Sequence, residues 1–294
     1  MTRHAIRLAL LLWSLPLGAL AADLEFRESV PVKPGGTLRI ELATGSVEVQ
    51  TDDSHEVSIE AQAMGWGAGS MRFELSSDGE DAQFMGASRG WFGPLVILPR
   101  VRVKVRVPER YSIEVRTGGG SIEIDDLGGT VVAKTSGGRI VLDGAEGPVE
   151  LTTSGGSIDV DDVRGNLSVR TSGGGIRISD VTGRVEAETS GGPIRVHDVG
   201  GPVLARTSGG SISVRFSGAP EGDLETSGGA IEAEFDEKAR LNLEAETSGG
   251  RVRVEDDLQI TGSITSNRVE GRINGGGPTL RLKTSGGNVR VRLR

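Results

Sequence analysis

The sequence predicts an all-β protein, a parallel β-solenoid (β-helix) made of two-strand coils of about 18 residues. Two patterns carry that reading. A Thr-Ser-Gly-Gly motif returns at a fixed interval, and apolar and polar residues alternate with a period of two between its copies. Composition agrees: 46 glycines in 294 residues and only 3% aromatics leave little material for one large conventional core.

The chain opens with a segment that has the form of an export signal. Arg3 and Arg7 precede an apolar run from Leu8 to Leu17, and Ala19-Leu20-Ala21 forms a small-x-small site, which places cleavage after Ala21. The run is short for a membrane span, and no later stretch reaches the roughly 20 apolar residues that a spanning helix needs. The expectation is an exported chain, periplasmic or extracellular, that does not span a membrane. With no cysteine it carries no lipidated cysteine, no disulfide and no thiolate metal site. Removing Arg3 and Arg7 leaves 31 basic against 41 acidic residues, a net charge of −10, which disfavours nucleic-acid binding.

Residues 22–116 form an N-terminal β region. Gly36 to Val49 alternates like the later repeats and holds a worn copy of their corner, so the solenoid is expected to begin near Leu38. An irregular insertion at 64–95 contains Trp66, Phe73, Phe84, Trp91 and Phe92, five of the nine aromatics that remain after cleavage. These five are a candidate binding patch, or a hydrophobic cover for the first coils. Alternation resumes with Val101, Val103, Val105 and Val107 facing one way and Arg102, Lys104 and Arg106 the other.

Residues 117–294 are the regular repeats. Thr opens a unit at 117, 135, 153, 171, 189 and 207, then at 226, 247, 265 and 284, which predicts ten coils. Ile158, Val160, Val163, Leu167 and Val169 recur at the same offsets as Ile176, Ile178, Val181, Val185 and Ala187, so each unit reads as strand, corner, strand, corner. One such coil cannot bury its own apolar face, and stacking equivalent strands supplies the missing partner. The first corner is assigned to the pairs Gly137-Gly138, Gly155-Gly156, Gly173-Gly174, Gly191-Gly192 and Gly209-Gly210, expected to supply a positive φ. The second falls on turns such as Asp162-Val163-Arg164-Gly165. The threonines share the parity of the inward residues and are expected to stack as a structural hydroxyl column. The adjacent serines read as turn formers.

The run RVKVRVPERYSIEVRTGGGSIEI, the TSGG-x-[IV] repeats and the closing VEGRINGGGPTLRLKTSGGNVRVRL resemble the bacterial putative-adhesin family, a domain of unknown function found in envelope proteins. The resemblance spans roughly Gly36 to Arg294. It implies a β-helix-like solenoid in the cell envelope, and it supplies no catalytic residues to carry over.

One acidic ladder is a candidate cation site. Asp125, Asp143 and Asp161 share one offset, and Asp126, Asp162, Asp180 and Asp198 the next. Carboxylates stacked at ~4.8 Å repel one another unless neutralised, and Ca²⁺ takes such oxygen ligands; Asp125, Asp143, Asp161 and Asp162 are the named candidates. Gly144, Ser179 and His197 interrupt the ladder, which favours solvated turns and no cofactor. A catalytic β-helix needs acids and bases converging on one groove, whereas His55 and His197 stand apart and outward basic residues such as Arg170, Arg177 and Arg195 alternate with acids. The expectation is a non-catalytic, monomeric, adhesin-like interaction rod whose partner is an envelope protein or a surface glycan. The alternative is a regulatory or scaffolding partner of a membrane sensor or anti-sigma factor, and a carbohydrate-active enzyme ranks last. At the two ends, aromatic cover is expected at the start, and at the finish the like charges of Arg281, Lys283, Arg290, Arg292 and Arg294.

Overall fold

The computed structural model describes residues 23–88, 99–255 and 258–294. The signal segment, and Trp91 and Phe92 of the insertion, lie outside them. The strands are β1 (Leu24–Pro31), β2 (Thr37–Leu42), β3 (Ser46–Asp52), β4 (Glu56–Met64), β5 (Met71–Ser77), β6 (Ala82–Ser88) and β7 (Arg100–Pro108), with a single 3₁₀ turn at Ala68–Ser70. The regular region contributes β8 (Ser112–Thr117), β9 (Ile122–Leu127), β10 (Val131–Thr135), β11 (Ile140–Ala145), β12 (Val149–Thr153), β13 (Ile158–Val163), β14 (Leu167–Arg170), β15 (Ile176–Val181), β16 (Val185–Thr189), β17 (Ile194–Val199), β18 (Val203–Thr207), β19 (Ile212–Phe216), β20 (Gly222–Thr226) and β21 (Ile231–Phe235). The chain closes with β22 (Leu241–Thr247), β23 (Val252–Val254), β24 (Ile260–Ile264), β25 (Arg268–Ile273), β26 (Thr279–Thr284) and β27 (Val289–Leu293).

Successive strands of the regular region go alternately to two facing sheets, so each coil places one strand in each and each pairs in parallel with its copy a coil away. The register keeps like on like: Ile140 lies beside Ile122 and Ile158, and Val131 beside Ile113 and Val149. The inward positions of both sheets are buried and form one aliphatic core. The worn copy near Leu38 is a true coil, with Leu38 beside Ile113 and Val47 beside Ile122.

The ends depart from the sequence expectation. The described part of the insertion is regular: β5 and β6 form an antiparallel hairpin that extends one sheet beyond β2, while β4 and β1 extend the other beyond β7, also antiparallel. Met85 and Gly86 blur the alternation within β6, which hid the strand. At the other end the chain does not stack in sequence order. β26 sits between β20 and β22, and β27 between β21 and β23, so the C-terminal coil is an interior layer. Thr265 opens no coil; it lies in the exposed turn of the antiparallel β24–β25 hairpin, which closes one of the two sheets at this end. The expected repulsion between exposed C-terminal arginines therefore falls away. Arg292 pairs with Glu232 at 2.8 Å, Arg281 with Glu244 at 2.9 Å and Arg294 with Asp198 at 3.3 Å.

Candidate interaction surfaces

The repeated threonines join coil to coil. Thr171 Oγ1 donates to the Gly156 carbonyl of the preceding coil at 2.9 Å and accepts from the Gly174 N–H of its own at 3.3 Å; Thr135, Thr153, Thr189 and Thr207 repeat the arrangement. The hydroxyls thus bond glycine backbone across each step instead of one another.

Gly137, Gly138, Gly155, Gly156, Gly173, Gly174, Gly191, Gly192, Gly209 and Gly210 sit at this corner, but none has a positive φ. Crowding selects the second glycine of each pair. A Cβ on Gly174 would lie 1.9 Å from the Gly156 carbonyl oxygen, and one on Gly192 1.9 Å from that of Gly174. The first glycine is under no such constraint, since a Cβ on Gly173 would stand 3.5 Å from its nearest neighbour. Positive φ occurs at this corner in the two copies before these pairs, at Gly45 (141°) and Gly120 (122°), whereas in the regular coils the left-handed residue is at the other corner. Asp126, Asp162, Asp180 and Asp198 have φ of 52°, 45°, 52° and 54°, and Gly144, which breaks the acidic ladder, fills the same place with φ 82°. Asp and Gly tolerate that conformation better than other residues do, and this accounts for the second column of the ladder, not for Asp125, Asp143 and Asp161.

Asp126, Asp162, Asp180 and Asp198 therefore serve the turn. Asp143 is in register with both Asp125 and Asp161, yet among the described residues no three acidic, histidine or cysteine side chains converge on a point that could hold a cation. Asp143, Asp161 and Asp162 are exposed, while Asp125 is half-buried. Burial first, then the charges of Glu123, Asp143, Asp126 and Glu48, push the Asp125 carboxyl above its usual range. His55 is exposed, and half-buried His197 lies in register with Ser179.

The outward faces carry charge ladders. Arg170 bonds Glu188 at 3.0 Å, Arg206 reaches Asp223 at 3.2 Å, and Arg139 and Arg177 share Asp159 at 2.9 and 2.7 Å. Arg195 has no such pair among the described residues. A shallow groove beside the threonine corner is lined by Ser154, Ser172, Ser190 and Ser208 with Arg170, Glu188, Arg206 and Glu225, and no histidine reaches it.

The N-terminal aromatics divide. Phe84 is fully buried and Phe73 half-buried, and both pack with Phe26 at ring separations of 5.7–5.9 Å. Trp66 stands on the turn between β4 and β5 with 75% of its surface exposed. Sequence reasoning missed Phe26, which lies outside the insertion, and the buried Tyr111, whose hydroxyl donates to the Glu80 carbonyl in the β5–β6 turn. Burial, then the charges of Asp81, Asp78 and Glu80, push the Tyr111 phenol up to about 12. In that turn the backbone N–H groups of Glu80 and Asp81 donate to the Asp78 carboxylate and hold it below its usual range.

No curated protein matches the sequence. Among solved structures, one described as a putative lipid binding protein from Parabacteroides distasonis is 13% identical and covers 92% of this chain and 96% of its own, with a TM-score of 0.51. A putative adhesin from Bacteroides fragilis is 11% identical over 92% of this chain and 97% of its own, with a TM-score of 0.46. A putative adhesin from Parabacteroides distasonis gives 13%, 92%, 97% and 0.41 for the same measures. At these identities the likeness concerns the fold alone. The Toastrack DUF4097 family model matches residues 36–292, from the first coil to the last strand, and the chain belongs to that family.

Proposed function

We propose that this chain is an exported, non-catalytic, adhesin-like interaction module of the bacterial envelope, whose partner is an envelope protein or a surface glycan. One observation supports this above the others: the repeated polar groups are taken up by the architecture. The threonine hydroxyls bond glycine carbonyls across coils and accept from glycine amides within them, four aspartates hold left-handed corners, and among the described residues no buried side-chain nitrogen or oxygen lacks a partner. What remains for a partner is outward surface: charge ladders, a serine-lined groove and exposed Trp66. None of the helices in the described residues is long and apolar enough to cross a membrane. Cell fractionation with crosslinking of a tagged chain tests the reading. It expects the processed chain outside the cytoplasm, crosslinked to an envelope component. A cytoplasmic, unprocessed chain, or turnover of a polysaccharide by the purified protein, would overturn it.

A further inference from the structure

The two sheets end in four terminal strands: β1 and β23 in one, β5 and β24 in the other. Exposed edges invite pairing with another chain, and proteins blunt them with charge or proline. β1 carries Glu25, Arg27, Glu28 and Pro31, β5 carries Arg72 and Glu74, and β23 carries Arg253. β24, Ile260-Thr261-Gly262-Ser263-Ile264, carries none of these.

The unprotected edge is also available. The Thr265 N–H donates to the Arg268 carbonyl at 2.8 Å, which makes those two residues the hydrogen-bonded pair next to the hairpin turn. Such pairs alternate along an antiparallel ladder, so Ser263 and Thr261 bond β25 while the amides and carbonyls of Ile260, Gly262 and Ile264 point away from it. Among the described residues no backbone hydrogen bond reaches those three outward positions. Four of the five residues are exposed, and Ile264 is 62% exposed although it sits opposite Val269, a buried residue of the inner face.

From this we infer that β24 is a self-association edge, and that its occupant is β24 of a second copy of this chain in antiparallel register. The strand is self-complementary, since isoleucine, a hydroxyl residue, glycine, a hydroxyl residue and isoleucine read alike in both directions. Centred on Gly262, the pairing sets Ile260 against Ile264 of the other copy and Thr261 against Ser263, with glycine facing glycine. No like charges meet, all three outward-facing residues gain hydrogen-bond partners, and the inner apolar face continues across the junction. The contact is isologous and closes as a two-fold dimer without growing into a fibre. This replaces the monomer expected from the sequence.

The test is sedimentation of the full chain. The wild type is expected to sediment at twice the monomer mass. Thr261→Glu with Ser263→Glu, and separately Thr261→Lys with Ser263→Lys, place like charges opposite each other at exposed positions; each variant is expected to be monomeric while keeping the wild-type circular dichroism. Mixing the two variants is expected to restore a dimer, now mixed in composition. A wild type that stays monomeric at every soluble concentration overturns the inference. So does a dimer that both charged variants retain, and so does a mixture of the two that fails to associate.

Discussion

At the scale of the residue, the two corners obey different constraints that look alike in sequence. The glycine pairs invite a left-handed assignment, but positive φ lies at Asp126, Gly144, Asp162, Asp180 and Asp198, and the glycines answer to carbonyl oxygens of the coil next door. That contact joins residues eighteen apart, so no local rule of turns reveals it. Gly174→Ala and Gly192→Ala are expected to destabilise the fold by about 1–3 kcal/mol through overpacking, and Gly173→Ala and Gly191→Ala by much less, as read from denaturant midpoints. Equal losses in both sets would contradict the assignment. Asp162→Gly is expected to be nearly neutral, whereas Asp162→Val costs roughly 1–2 kcal/mol because a β-branched residue is forced to φ 45°. The aromatic candidates were legible as a group but not in their division. Phe84→Ala is expected to cost about 3–5 kcal/mol, while Trp66→Ala leaves melting unchanged and lowers retention on envelope fractions. Tyr111 is the only tyrosine, so its titration can be followed directly by phenolate absorbance. The folded phenol gives up its proton near 12, the unfolded one near 10. Its contribution to stability is therefore complete below pH 10 and is lost as the pH rises from 10 towards 12. A phenolate midpoint near 10 in the folded protein would remove that dependence.

At the scale of the element, the alternation of apolar and polar residues was sufficient to place most strands, because each has one buried face and a side-chain period of two. The buried threonines shared the inward parity and were read correctly as structural, although their bonds run to glycine backbone and not along the column. Thr171→Val keeps the shape and removes one donor and one acceptor, leaving the Gly156 carbonyl and the Gly174 N–H short of a partner. The expected loss is about 1–3 kcal/mol in denaturant unfolding, and Thr171→Ser, which keeps the hydroxyl, should lose much less. A larger loss for Thr171→Ser than for Thr171→Val would show that the methyl group, not the hydroxyl, matters. The β5–β6 hairpin was missed because glycine and methionine stand where alternation needed clear contrast. Thr265 was mistaken for a coil opener because its motif, Thr-Ser-Asn-Arg, shares only the first two letters of the repeat.

At the scale of the whole molecule, the repeat announced the solenoid but not the order in which its last coils stack. Every coil presents the same aliphatic edge, so a strand's apolar pattern suits several neighbours equally well, and local sequence does not choose among them. Longer-range contacts decide: β22 turns back on β25, and the final coil enters between β20 and β22 on one face and between β21 and β23 on the other. The parallel centre is thus closed by antiparallel strands in both sheets at the N-terminal end and in one sheet at the other, where the second sheet stops at the parallel strand β23, and the C-terminal residues hold the last coils together. The chain lacks cysteine, which allows a direct test by engineered disulfides. Arg290 is the register partner of both Glu232 and Arg253, so Glu232 lies one strand from Arg290 and two strands, about 9–10 Å, from Arg253. A disulfide closes over a Cα separation of about 4.4–6.8 Å. Under mild oxidation of the folded protein, Glu232→Cys with Arg290→Cys should crosslink, and Glu232→Cys with Arg253→Cys should stay reduced. Crosslinking of the second pair and not the first would mean that the coils stack in sequence order, and would contradict the architecture described above.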